Sequence, residues 1–277
     1  MSVSTYTPEL GARIAALLTA FKLPTAASEV VRRFVDAGLD QSLPVLCEVL
    51  ELEDHDRHER RVDRLRRASK LPPGKTLGTF DEQRLPRPLC AKIREIAGGA
   101  FLDRGDNVLV FGLPGVGKTH AAAGIGHALV QSGRSVLFTP TYRLVQDLLA
   151  ARRDLTLSRA LRSLDAYDLL ILDDIGYVQQ TVDEAEVLFT LMAERYERRS
   201  LLITSNLVFS QWDRIFKNPM ATAAAIDRLV HHSTILEIDV TSFRTEDAKK
   251  RNKRPDDNKK PSDNYPATTT TTTTTTP

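Results

Sequence analysis

Eight residues, Gly112-Leu113-Pro114-Gly115-Val116-Gly117-Lys118-Thr119, carry the spacing G-x-x-x-x-G-K-T, which suits the grip of a phosphate chain. Glycines let backbone N–H groups converge on an anion, and a helix N-terminus adds partial positive charge at the same point. Lys118 is placed to reach the β- and γ-phosphates and Thr119 to offer its hydroxyl to Mg2+. Gly112, Pro114, Gly115, Val116, Gly117 and the following His120 complete the nucleotide-binding set. A second group, Asp173-Asp174, ends the apolar run Leu169-Leu170-Ile171-Leu172. Beside a phosphate loop, Asp173 would organise Mg2+ and Asp174 could polarise a water for in-line attack on the γ-phosphate. Asn206 could hold that water from the other side. Phosphoryl transfer also wants a cation on the developing charge, often an arginine from a neighbouring subunit. Arg228 is the first candidate for it and Arg244 the second. His231-His232 follows Arg228, but no carboxylate or cysteine stands near it at ligand spacing, so the pair reads as structural.

Strands and helices in alternation must position these groups. Asn107 to Phe111 reads as a buried strand before the loop, and Ala121 to Val130 as the helix after it, ending near Gly133. Then come a strand (Ser135 to Thr139), a helix (Thr141 to Ala151), a second helix to Leu164, and the strand Asp168 to Asp174. A helix from Glu184 to Arg199, a strand from Leu201 to Thr204, a helix from Ala221 to Val230 and a strand from Thr234 to Asp239 complete the series. The pattern predicts an α/β fold with a mostly parallel sheet covered on both faces. Ligands in such sheets sit at the C-terminal ends of the strands, where the marked polar residues fall.

Upstream, residues 7 to about 70 read as helical. Leu10, Ile14, Leu17, Leu18 and Phe21 recur at helical spacing, Pro24 interrupts, and Val30, Val31, Phe34 and Val35 start a second helix that Gly38 ends. A third helix from Ser42 runs into Arg57, Arg60, Arg61, Arg64 and Arg67, which share one face, with Val62, Leu65 and Ala68 on another. Asp56, Glu59 and Asp63 offset part of that charge. The stripe is either a solvated face with i,i+4 ion pairs or a track for nucleic-acid phosphates. Lys70 to Lys75 is a linker by composition, and Leu89 to Phe101 a further helix closed by Gly105.

At 277 residues, 42% hydrophobic, 27% charged and a net charge of +2, the chain reads as a globular protein with one α/β core and a smaller unit. Its two cysteines, Cys47 and Cys90, offer no disulfide framework or metal spacing, which suits a reducing cytoplasm. No secretory signal and no membrane span are expected. The expected division is a helical domain over 1–70, serving DNA, partner or self-association, an ATPase domain over 71–246, and a tail over 247–277. That tail is basic, then threonine-rich, and too polar to order itself.

The order of motifs resembles the AAA+ ATPases of the initiator and helicase-loader branch. It is most similar to the IstB-type transposition helper ATPases of bacterial insertion sequences, relatives of the DnaC helicase loader. Besides Gly112–Thr119, Leu169–Asp174 and Thr204-Ser205-Asn206, the matching stretches are Gly105 to Leu109, Asp173 to Tyr177, Arg195 to Ser200, Asn206 to Phe209 and Ala225 to Ser233. The resemblance implies a P-loop NTPase fold behind a small all-α domain, and an ATP- and Mg2+-dependent homo-oligomer that binds double-stranded DNA and assists a cognate transposase. In its terms Asn206 is sensor 1, Arg228 the trans-acting finger and Arg244 a sensor-like arginine. The helices before Asp173 match the branch's insertion, so Arg143, Arg152, Arg153, Arg159 and Arg162 are candidate DNA contacts. Two departures stand out: Asp174 replaces the usual Glu, and Val240-Thr241-Ser242-Phe243-Arg244 replaces Gly-x-Ser-Tyr-Arg. A helicase loader, an ATP-switched architectural scaffold and a small-molecule kinase are the competing functions. The kinase needs neither the paired aspartates nor an inter-subunit arginine.

Overall fold

Apolar runs of five to seven residues form β1 (Asn107–Gly112), β2 (Val136–Pro140), β3 (Leu169–Ile175), β4 (Ser200–Ser205) and β5 (Ser233–Ile238). The computed structural model describes residues 7–176, 181–216, 219–240 and 242. The strands pair in the order β2-β3-β4-β1-β5, and every pairing is parallel. Side chains alternate along each strand, so Val108 and Val110 enter one core while Leu109 and Phe111 enter the other. The first core packs under α4 (Arg87–Ala97) and α5 (Lys118–Gln131). The second packs under α6 (Thr141–Arg153), α7 (Leu157–Leu164), α8 (Val182–Arg195), α9 (Asp213–Phe216) and α10 (Pro219–Val230). Both faces are covered, as the alternating pattern predicts.

The N-terminal unit is built from α1 (Pro8–Ala20), α2 (Pro24–Asp36) and the first half of α3 (Leu43–Ser69), around Ile14, Leu17, Leu18, Leu43 and Cys47. At 27 residues α3 is about 40 Å long and reaches beyond that unit. Its second half lies on the sheet domain. Val62 and the linker residue Leu71 are buried in the first core, and Arg61 donates to the Gly133 carbonyl at 3.0 Å.

Several element ends differ from the sequence reading. The helix expected over Leu89–Phe101 stops at Ala97, because Gly98 and Gly99 break it and Gly99 takes a left-handed φ of 82°. The helix expected to Arg199 stops at Arg195, where Tyr196 turns extended and Glu197 left-handed. The short α9 and the turn before it have no counterpart in the sequence pattern. They seat Trp212, fully buried, against Phe111, Phe209 and Phe216. Among the described residues no helix is long and apolar enough to cross a membrane.

Candidate nucleotide-binding site

The loop between β1 and α5 takes its shape from three glycines. Gly115 (φ 85°) and Gly117 (φ 99°) are left-handed, and a Cβ on Gly112 would meet the Ile238 carbonyl oxygen of β5 at 2.5 Å. Val116 is buried and anchors the loop in the core, while Leu113 and Pro114 are exposed. Lys118 is buried, with its Nζ donating to the carbonyls of Gly112 at 2.8 Å and Leu113 at 3.0 Å. The ammonium thus lies within the loop's own curve, where a phosphate chain would be cradled. His120 turns the other way. Its ring packs on Phe80 at 5.2 Å, and its Nε2 lies 3.1 Å from Thr79 Oγ1 and 3.0 Å from the Thr76 carbonyl. It therefore pins the segment after the linker to α5.

The two carboxylates stand on β3, which β4 separates from β1. The sheet spans that gap with Thr204 of β4. Its hydroxyl, fully buried, donates to Asp173 Oδ1 at 2.7 Å and accepts from the Asp174 N–H at 2.8 Å. The β3–β4 register slips between Leu172 and Ile175, and Asp174 takes a left-handed φ of 56° at that bulge. Around the extra residue, Asp173 is buried and Asp174 exposed. Aspartate also tolerates this backbone region better than longer side chains do.

Burial raises the Asp173 pKa, and the nearby Asp174 charge adds to that rise. Hydrogen bonds from Thr204 and Thr119, with the Lys75 charge, oppose it. A hard cation between Thr119 and Asp173 would relieve the same strain, so these oxygen donors fit Mg2+. Asn206 directly follows β4, its Oδ1 buried and without a partner, an orphan acceptor at the strand ends where a water or nucleotide group would sit.

Sequence reasoning singled out Asn206 after β4 and missed Thr204, whose role depends on strand order. Replacing Thr204 with valine should lower stability by about 1–3 kcal/mol, because it strands the buried Asp173 oxygen and the Asp174 N–H. Urea unfolding checks this, with Thr204→Ser expected near wild type. A valine variant as stable as the wild type would mean that the hydroxyl adds nothing to the fold.

Arg228 lies elsewhere. The Leu229 carbonyl beside it accepts from Asn107 Nδ2 at 3.4 Å, so Arg228 stands near the start of β1. The phosphate loop leaves the other end of that strand, about 17 Å away for six residues. Its guanidinium carbon lies 5.0 Å from the centre of the Phe189 ring, and Nη1 is buried without a partner. Such a group can act on a nucleotide only in another copy of the chain. Arg244 lies outside the described residues.

The candidate DNA contacts divide by pairing. Arg57 donates to Glu53 at 2.5 Å and stacks over Phe21, while Arg60 donates to the Asp56 carbonyl at 3.2 Å and lies 3.4 Å from Glu53. Arg61 is engaged by Gly133, and Arg152 by Glu186 at 2.8 Å. Arg64, Arg67, Arg143, Arg153, Arg159 and Arg162 are exposed and make no side-chain hydrogen bond or ion pair among the described residues. The start of the α3 stripe is ion-paired, as in a solvated face, and Arg64 and Arg67 border an open groove with Arg60 and Asp63.

A protein of Sinorhizobium fredii named as an insertion-sequence ATP-binding protein is 44% identical over 251 residues, covering 88% of this chain and 84% of that protein. One named as an ATP-binding protein of insertion sequence IS21 from Pseudomonas aeruginosa is 40% identical over 205 residues, covering 74% and 77%. The fold is similar to AMPPCP-bound DnaA from Aquifex aeolicus, with a TM-score of 0.51, 18% identity, and 66% of this chain and 56% of that chain covered. It is also similar to DnaI, with a TM-score of 0.52, 21% identity, and 61% and 95% covered. Residues 14–252 match the family described as IstB-like ATP binding protein. The chain belongs to that family, and its sheet is a P-loop NTPase sheet of the DnaA and DnaI kind.

Proposed function

We propose that the protein is a Mg2+-dependent ATPase that assembles on duplex DNA and assists the transposase of its insertion sequence in choosing a target site. The observation that carries the enzymatic part is the Thr204 hydroxyl holding one buried and one exposed aspartate at the bulge of β3. In this reading Lys118 moves from the loop carbonyls to the β- and γ-phosphate oxygens. Thr119 and Asp173 hold Mg2+, which offsets negative charge on those oxygens. Asp174 takes the proton of the attacking water, Asn206 orients that water, and Arg228 of a neighbouring copy stabilises the transferring phosphoryl group. The names of the insertion-sequence relatives support a transposase as partner. The bare arginines of α3, α6 and α7 support a duplex phosphate backbone as ligand.

ATP hydrolysis measured with and without duplex DNA tests the proposal. The wild type should hydrolyse ATP faster with DNA, and Lys118→Ala should fall to background under both conditions. Equal rates in the two proteins would remove the enzymatic claim. DNA affinity should also fall steeply with salt. Replacing Arg64 and Arg67 with alanine should flatten the log–log slope by about one for each phosphate those arginines neutralise. A slope unchanged in that variant would take the α3 groove out of the DNA interface.

A further inference from the structure

We infer that Glu197, His231 and His232 form a binding site for a divalent transition-metal ion of the zinc class, separate from the nucleotide site. One ligand atom from each of the three side chains lies within 4.8 Å of the other two. His232 Nε2 is 3.8 Å from Glu197 Oε1, and the two imidazoles stand edge to face with centroids 4.2 Å apart. The fold brings the Glu197 carboxylate to the two histidines from the turn between α8 and β4.

The backbone under these side chains is held in place. The Asn107 N–H donates to the His232 carbonyl at 2.7 Å, and Asn107 Oδ1 accepts from the Leu201 N–H at 2.9 Å, so one buried residue ties both turns to β1. The His231 N–H donates to the Asp227 carbonyl at 3.0 Å, continuing α10. Glu197 is left-handed (φ 56°) and packs against Gly105, where a Cβ would come within 3.3 Å of the Glu197 carbonyl carbon. The hydroxyl of Tyr196 lies 3.1 Å from His231 Nδ1; with Nε2 as the ligand atom, it would be the outer hydrogen bond that fixes ring orientation in many metal sites.

Two imidazoles and one carboxylate suit Zn2+, Co2+ or Ni2+, whereas Mg2+ and Ca2+ want oxygen donors. Ligand atoms around tetrahedral zinc lie about 3.4 Å apart, so side-chain rotations of roughly 1–2 Å close the present spacing. The side chains are exposed, which leaves a fourth position to water. The site lies near the start of β1, away from the phosphate loop, so occupancy of one does not require the other. An ion there staples the α8–β4 turn to the end of α10. On the reading proposed above, it would also fix the helix end that presents Arg228.

Titration of the EDTA-stripped, untagged chain with Co2+, followed by its visible d–d absorption, tests the inference. One ion per chain should bind in the wild type and equally in Lys118→Ala, so a failure of the ATPase reading would not mask it. Glu197→Gln and His232→Ala should each lose the band, and Tyr196→Phe should weaken binding by about tenfold. Zn2+ should raise the Tm of the wild type and leave that of His232→Ala unchanged, with unliganded melts showing that both fold. His55, 3.6 Å from Glu59 on α3, is the control, because it is another imidazole–carboxylate pair. No band in the wild type, a band that survives both substitutions, or a band abolished in His55→Ala overturns the site.

Discussion

Arg228→Ala should lower ATP turnover by about 10³-fold or more while nucleotide affinity stays near wild type, as expected of an arginine that meets the nucleotide only in the transition state. The expectation rests on position. Arg228 lies at the end of β1 opposite the phosphate loop, so within its own chain it is too far away to touch a bound triphosphate. Stacking on Phe189 holds the guanidinium plane, and Nη1 is buried without an acceptor. Steady-state hydrolysis and fluorescent-nucleotide binding check the two halves separately. A parallel loss of nucleotide affinity would make Arg228 a fold or ground-state binding residue instead.

Asp174→Asn should bind ATP as the wild type does and hydrolyse it about 10²–10⁴-fold more slowly, the range for removal of a general base. Asparagine is the informative replacement because it tolerates the left-handed backbone at this bulge and keeps the N–H that Thr204 accepts. Alanine would mix loss of the carboxylate with backbone strain. Single-turnover hydrolysis reads the effect. A rate within a few-fold of wild type would mean that Asp174 is not the base and would favour a scaffold in which ATP only sets assembly.

The phosphate loop and the strands that carry the site were legible because their signals are local. A five-residue apolar run, three glycines at fixed spacing and an Ala-rich segment specify strand, turn and helix without knowledge of the rest of the chain. Strand order is not local. That β4 lies between β3 and β1 is decided by packing of the whole sheet, and it makes Thr204 the bridge to Asp173 and Asp174. The bulge escaped for the same reason, since the register slip shows only when β3 meets β4.

The arginine stripe on α3 was legible as a face and illegible as a set of partners. Helical spacing aligns Arg57 to Arg67, but only the fold takes Arg61 to the Gly133 carbonyl and leaves Arg64 and Arg67 bare. Arg195 gave no sign of its part. It is buried and donates to the carbonyls of Leu164, Tyr167 and Ser200, with burial pulling its pKa down to about 10. It ties three chain segments together at the edge where Glu197 turns.

Mixing two inactive proteins tests the shared site most directly. Lys118→Ala lacks the phosphate grip but keeps Arg228, and Arg228→Ala keeps the grip but lacks the finger. Combined with ATP and duplex DNA, they should recover hydrolysis well above the sum of the two alone, peaking near equal proportions. A mixture no more active than its separate components, at concentrations where the two co-assemble, would contradict an ATP site completed by a neighbouring copy.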